Sequence, residues 1–204
     1  MPVAVTEAPS QPAPLFPPRK RWTREECAAI EPLGILDRDK LELIEGELIT
    51  KMPKNRPHAN SLTLVHMWLV RIFGGHFAQS ETSIDVAPQD NPTSEPEPDL
   101  IVLAKPLWEY SAGNPPAADI RLLIEISHTT LTFDRTTKAA LYARAGIPDY
   151  WVLDVVSRQL YVHRLPQAGR YAQVEVYNES ESVASLAAPE SPFPVAEAFR
   201  TSAQ

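Results

Sequence analysis

Apolar positions recur along this chain in several distinct rhythms, and each rhythm predicts an element. Leu62, Val65, Leu69 and Phe73 fall three or four residues apart. That spacing predicts a helix, opened by Pro57 in its first turn and stopped by Gly74-Gly75. Leu41 to Thr50 reads as one strand with a bend or bulge at Gly46, and Ser80 to Val86 alternates as another. Three short apolar runs, 99–103, 121–127 and 149–155, read as strands of a sheet interior. Asp134 to Ala145 reads as a helix closed by Gly146 and Pro148. Near the start, Thr23 and Glu26 form a capping box for a helix ending near Leu33-Gly34. Arg158–Arg164 and Tyr171–Tyr177 alternate around Pro166-Gln167-Ala168-Gly169, which predicts a hairpin.

The order strand, helix, strand over 121–155 predicts a crossover between two parallel strands. The expectation is an α/β (α+β) domain with a mixed central sheet, flanking helices and a C-terminal β-hairpin. A single domain over 22–200 follows a Pro- and Ala-rich tail, 1–21, expected to be flexible or extended. The Arg19-Lys20-Arg21 end of that tail reads as a solvated linker, with a basic arm to DNA as the alternative.

Composition narrows the function classes. Of 204 residues, 44% are hydrophobic and 22% charged, enough for one full core. No apolar stretch approaches the length that spans a bilayer. No basic segment followed by an apolar core opens the chain, so no secretory signal is expected. The single cysteine, Cys27, excludes an internal disulfide and a cysteine-based zinc site, and fits a reducing cytoplasm. A net charge of −7 argues against a protein that coats nucleic acid non-specifically. It leaves room for an acidic metal site whose charge is offset once cations bind.

The candidate chemistry begins with a carboxylate among apolar residues. Glu125 sits within Leu122-Leu123-Ile124-Glu125-Ile126, where an uncompensated charge costs several kcal/mol. Asp99 opens a second apolar run, and neighbouring strands would set the two acids side by side. Two carboxylates and the Ile126 carbonyl suffice for Mg²⁺ or Mn²⁺, which keep several waters. Lys138, 13 residues beyond Glu125, would be returned over the strand end by a loop and one helical turn. There its ammonium could orient a water against a phosphate. Asp134 precedes it on the same helix face, and the bland reading of that pair is an exposed ion pair. Glu47 is a third acid candidate, otherwise a surface strand residue. His58 could face a phosphate or leaving group from a helix start. His66, His76, His128 and His163 read as structural, and Trp108, Trp151, Tyr150 and Tyr161 as core or interface. Tyr142 reads as core.

Taken in order, several segments resemble the PD-(D/E)XK nuclease superfamily, and within it the Uma-type branch labelled putative restriction endonucleases. They are Leu43-Ile44-Glu45-Gly46-Glu47-Leu48, Pro57-His58, Glu97-Pro98-Asp99-Leu100 and Leu123-Ile124-Glu125-Ile126-Ser127, then Asp134 with Lys138, and finally 142–154. The resemblance spans roughly residues 38–180. It implies a restriction-endonuclease-like core, a divalent metal and phosphodiester hydrolysis. Asp99 matches the motif's aspartate and Glu125 its second acid. Ser127 stands where the motif has lysine, and the resemblance implies that Lys138 replaces it. Ala59 stands where the family usually has glycine. His128-Thr129-Thr130 replaces a Ser-Pro-Ser-Thr pattern.

Two functions compete. One is a metal-dependent DNA endonuclease acting on double-stranded DNA as a homodimer or larger, with the strands around 158–177 as the contact. The other is a catalytically silent module of the same fold that binds or assembles.

Overall fold

The computed structural model describes residues 19–34, 41–51 and 55–200. Residues 1–18 of the expected tail lie outside them. Helix α1 (Arg24–Ile30) has the expected capping box, with Thr23 and Glu26 bonding each other's backbone N–H groups. A 3₁₀ turn follows and ends at Gly34, which has φ 67°.

Strands β1 (Leu41–Ile44) and β2 (Glu47–Thr50) form an antiparallel hairpin, not the single bent strand expected over 41–50. Glu45 and Gly46 both take positive φ, 50° and 79°. That is the two-residue turn whose twist suits a hairpin. The turn is held from outside: Trp22 N–H donates to the Gly46 carbonyl at 2.8 Å, and Gly46 N–H donates to the Thr93 carbonyl at 2.7 Å.

Helix α2 (Arg56–Phe73) is capped by Asn55, whose side chain accepts from His58 N–H. Its Val65, Trp68 and Leu69 are buried. Strand β3 (Ala78–Ser80) is shorter than the alternation over 80–86 suggested. Glu81 takes φ 53°, and the N–H groups of Ile84 and Asp85 bond the Pro96 and Pro115 carbonyls. The apolar alternation there marks a packed loop.

The remaining sheet strands are β4 (Leu100–Leu103), β5 (Ile120–Ser127), β6 (Asp149–Asp154), β7 (Gln159–Gln167) and β8 (Arg170–Asn178). They form one six-stranded mixed sheet in the order β3-β4-β5-β6-β7-β8. β5 and β6 are parallel, as the crossover predicted, and every other neighbouring pair is antiparallel. Helix α3 (131–144) makes the crossover. Its segments Leu131–Phe133, Asp134–Lys138 and Ala139–Arg144 run on from one another, and the middle one is π-helical. The C-terminal hairpin turns through Ala168 and Gly169, again both at positive φ. Two short strands, β9 (Ser182–Val183) and β10 (Phe193–Pro194), close the chain.

β5 and β6 are buried on both faces, which is why they read as unbroken apolar runs. Alternate residues feed two cores. Ile124, Ile126, Trp151 and Leu153 pack against α2 and the C-terminal segment, where Trp68 stacks on Trp151 at 6.2 Å and meets Phe193 at 4.9 Å. Leu123, Tyr150 and Val152 pack with Leu141 and Tyr142 of α3. Among the described residues no helix is long and apolar enough to cross a membrane.

Two outcomes follow. Gly46→Ala should destabilise by about 1–2 kcal/mol in denaturant melts, because a Cβ there disfavours positive φ. It would also lie 2.7 Å from the Arg21 Cβ. His163 is buried between Tyr150 and Tyr171. Burial, with repulsion from Arg135, lowers its pKa from 6.5 to about 4. The unfolded chain therefore takes up a proton that the folded protein refuses. Stability should fall as pH drops from 6.5 toward 4, by up to about 3 kcal/mol at ~1.4 kcal/mol per pH unit. Across that range the wild type should lose stability relative to His163→Phe as pH falls, and parallel melting curves would show that His163 is not the group responsible.

Candidate active site

Extending the register Leu100↔Ile124 by one residue sets Asp99 opposite Glu125. A hydrogen bond fixes this end of the pairing, from Ile126 N–H to Asp99 Oδ2 at 2.7 Å. The two sequence-predicted acids and the Ile126 backbone are therefore neighbours. They line a cleft of about 250 Å³ together with Glu42, Lys51, Asn55, His58, Thr130, Asp134 and Lys138.

Lys138 comes back over the end of β5 as expected, but it is not part of an exposed pair. Asp134 and Lys138 are 4% and 5% exposed. The Lys138 ammonium lies 3.0 Å from Glu125 Oε1 and 3.0 Å from Glu42 Oε1. Tyr142, read from the sequence as core, also donates to Glu125 Oε1 at 2.9 Å. Glu125 Oε1 thus receives both donors, and Oε2 has no hydrogen-bond partner among the described residues. Asp134 accepts from the Thr130 hydroxyl at 2.6 Å, and its carbonyl accepts from Tyr150 at 2.9 Å.

His58 reaches the site from the first turn of α2, its Nε2 3.5 Å from Asp99 Oδ1. Its Nδ1 is buried with no hydrogen-bond partner among the described residues, and so is the Nδ1 of His128, which lines the same cleft. Glu47 is not brought in. Its side chain is 61% exposed and its contact is Arg19 at 3.9 Å. The third acid is Glu42, which sequence reasoning missed. Glu42 Oε1 also accepts from Glu97 N–H at 2.8 Å. The signal was present: Leu41-Glu42-Leu43-Ile44 encloses an acid in apolar residues just as the Glu125 run does. The hairpin register sets both acids on one face, but Glu47 lies beside the turn and stays exposed, whereas Glu42 lies further along β1 and reaches Lys138.

The electrostatics are lopsided. Burial pushes the Glu125 carboxyl well above its ordinary range, and the other acids, Asp99 first, oppose the relief from Lys138. Burial likewise raises Asp134. Burial opposes the charged Lys138, yet Glu125, Glu42 and Asp134 outweigh it and hold the ammonium well above its usual pKa. Lys138 is the cation of this cluster. Elsewhere buried acids are better satisfied: Asp149 accepts from Trp151, Arg164 and Leu186, and Asp154 from two backbone N–H groups.

A divalent cation suits this donor set. The carboxylate oxygens of Asp99 and Glu125 are hard ligands, and the surplus of buried acid favours added positive charge. Among the described residues no three His, Cys, Asp or Glu side chains form a ready-made ion cage. The expected set of two carboxylates and one carbonyl is smaller than that, as suits a cation that keeps waters.

The model of the Uma2 family, described as putative restriction endonuclease, matches residues 25–196. The chain belongs to the Uma2 family. Its fold is similar to that in a crystal structure of a putative nuclease belonging to DUF820 from Anabaena variabilis ATCC 29413. The TM-score is 0.61 at 17% identity, over 83% of this chain and 95% of the other. At that identity the likeness is one of fold. No curated protein matches. The Uma2 assignment and the fold bear out the family resemblance read from the sequence, with its mixed sheet, flanking helices and C-terminal hairpin.

Because the folded-state pKa of Glu125 is raised, the folded protein holds a proton that the unfolded chain releases above 4.5. Metal-free stability should therefore decline as pH rises past 4.5. Glu125→Gln should remove that decline, because the group that releases the proton is gone. Thermal melts in chelator across pH check the sign.

Proposed function

We propose that this Uma2-family chain is a divalent-metal-dependent endonuclease that hydrolyses phosphodiester bonds in DNA. One observation carries the reading: Asp99 and Glu125 are paired across β4 and β5 with Lys138 buried against Glu125. Asp99, Glu125 and the Ile126 carbonyl would hold Mg²⁺ or Mn²⁺. Bound there, the cation supplies Lewis-acid charge to a phosphodiester.

The chain's own residues do the rest. Tyr142 and Lys138 hold Glu125 by one oxygen and leave the other facing the cleft. The Lys138 ammonium orients the attacking water and offsets charge growing on the phosphate. His58 faces the phosphate or the leaving group from the start of α2, and Asp134 steadies the Lys138 charge. The buried Cys27, the one cysteine of the chain, suits a reducing cytoplasm.

A silent binding module is the rival reading, favoured by the chain's net charge of −7. Buried, incompletely satisfied acids weigh against it, since a silent protein gains nothing from them.

Cutting both strands of a duplex calls for two sites related by a two-fold axis. We assign the contact to the β7–β8 hairpin. β8 is an edge strand, and Val174 and Val176 on it are 46% and 49% exposed, next to Leu165 at 55%. Light scattering at micromolar concentration should give twice 22.7 kDa. A strict monomer would remove the two-strand mechanism and leave nicking or silence.

Asp99→Asn and Glu125→Gln should each abolish Mg²⁺- or Mn²⁺-dependent nicking of plasmid DNA, and full activity in either sinks the metal site. Lys138→Ala should cut the rate by about 10²-fold or more while changing metal affinity far less. If affinity collapses instead, or the rate is untouched, Lys138 is structural.

A further inference from the structure

Glu42 belongs to neither the expected acid pair nor the lysine, yet it is the residue that decides where the lysine sits. It projects from β1, on a hairpin outside the main sheet, and is 7% exposed. Its Oε1 ion-pairs with Lys138 Nζ at 3.0 Å and accepts from the Glu97 backbone N–H at 2.8 Å. The N–H bond ties Glu42 to the chain two residues before Asp99. Lys138 Nζ is therefore shared at equal distance between Glu42 on the hairpin and Glu125 on β5.

The ammonium hydrogen-bonds Glu125, but its charge is divided between the two acids. With Glu42 absent, one partner would remain at this distance, and Lys138 would settle on Glu125. It would then compete with a metal for the carboxylate that has to bind it, and leave the position from which it can meet a phosphate. We propose that Glu42 is a positioning residue: it draws Lys138 away from Glu125, keeping Glu125 available to a divalent cation and the ammonium available to the substrate. The metal half of this inference rests on the function proposed above. The ion-pair half rests on the geometry alone.

Glu42→Gln is the apt variant. Its amide oxygen still accepts from Glu97 N–H, so the hairpin keeps its anchor while the carboxylate charge facing Lys138 is lost. The first arm needs no metal. With ¹⁵N-lysine labelling in chelator, the buried Lys138 ammonium should give a slowly exchanging resonance in the wild type. In Glu42→Gln it should shift or broaden while circular dichroism shows the protein still folded. An unchanged resonance overturns the proposal.

The second arm measures Mn²⁺ binding by electron paramagnetic resonance in four proteins: wild type, Glu42→Gln, Lys138→Met and the double variant. Glu42→Gln should weaken binding about tenfold when Lys138 is present, the effect of one charged hydrogen bond redirected. It should change binding little in the Lys138→Met background, where there is no ammonium to redirect. Equal weakening in both backgrounds means that Glu42 acts only through its charge, and overturns the positioning role. So does no weakening in either. If the wild type binds no Mn²⁺, the metal site of the preceding section fails and takes the metal half with it, while the first arm still decides the ion pair.

Discussion

The structure is organised around one ammonium group. Lys138 is buried, and the acids around it, Glu125, Glu42 and Asp134, come from a sheet strand, a hairpin and its own helix. None of these groups could be buried without the others, because an isolated charge at such a site costs several kcal/mol. That mutual need fixes three relations at once: how far α3 reaches back over β5, how the β1–β2 hairpin docks, and where the loop carrying Glu97 and Asp99 runs. Asp149 shows the contrast. It is equally buried but fully met by Trp151, Arg164 and Leu186, and it welds β6 to the C-terminal segment without facing any cleft.

Much of this was legible in the sequence. The parallel pairing of β5 and β6 followed from a strand, a helix and a strand in close succession. The alignment of Asp99 with Glu125 followed from two apolar runs with acids at related positions. What failed failed at turns. Glu45-Gly46 was read as a bend because glutamate is an unusual first residue for a turn with positive φ. The residue is accommodated because Arg144 pairs with its carboxylate and Ser94 Oγ accepts from its N–H. That local misreading had a remote effect. With a continuous strand, Glu47 was a fair candidate for the site. In the hairpin Glu47 shares the face of Glu42 but sits beside the turn, exposed against Arg19, while Glu42 further along β1 reaches Lys138.

The lysine illustrates a different limit. Position 127, two residues after Glu125, holds serine, and Ser127 Oγ lies 3.4 Å from Thr130 Oγ1, which in turn bonds Asp134. The charge arrives from the helix instead. A sequence pattern states which residue types are near one another along the chain, whereas the chemistry depends only on where an ammonium ends up in space. Burial of Lys138 and Asp134 could not be read from periodicity, since both sit on a helix whose pattern also fits an exposed ion pair.

The π-helical stretch from Asp134 to Lys138 has a consequence for how this protein can vary. A π turn accommodates an additional residue within an otherwise α-helical path, and such turns gather at functional sites. Substitutions within it alter side chains but leave the path alone. Losing a single residue would let the segment relax into plain α-helix with the helix after it left in place. Leu141, Tyr142 and Ala143 would keep their surroundings, while the side chains inside the turn, Lys138 among them, would be re-aimed. The π turn thus lets the direction of Lys138 be set apart from the packing of the helix that follows it.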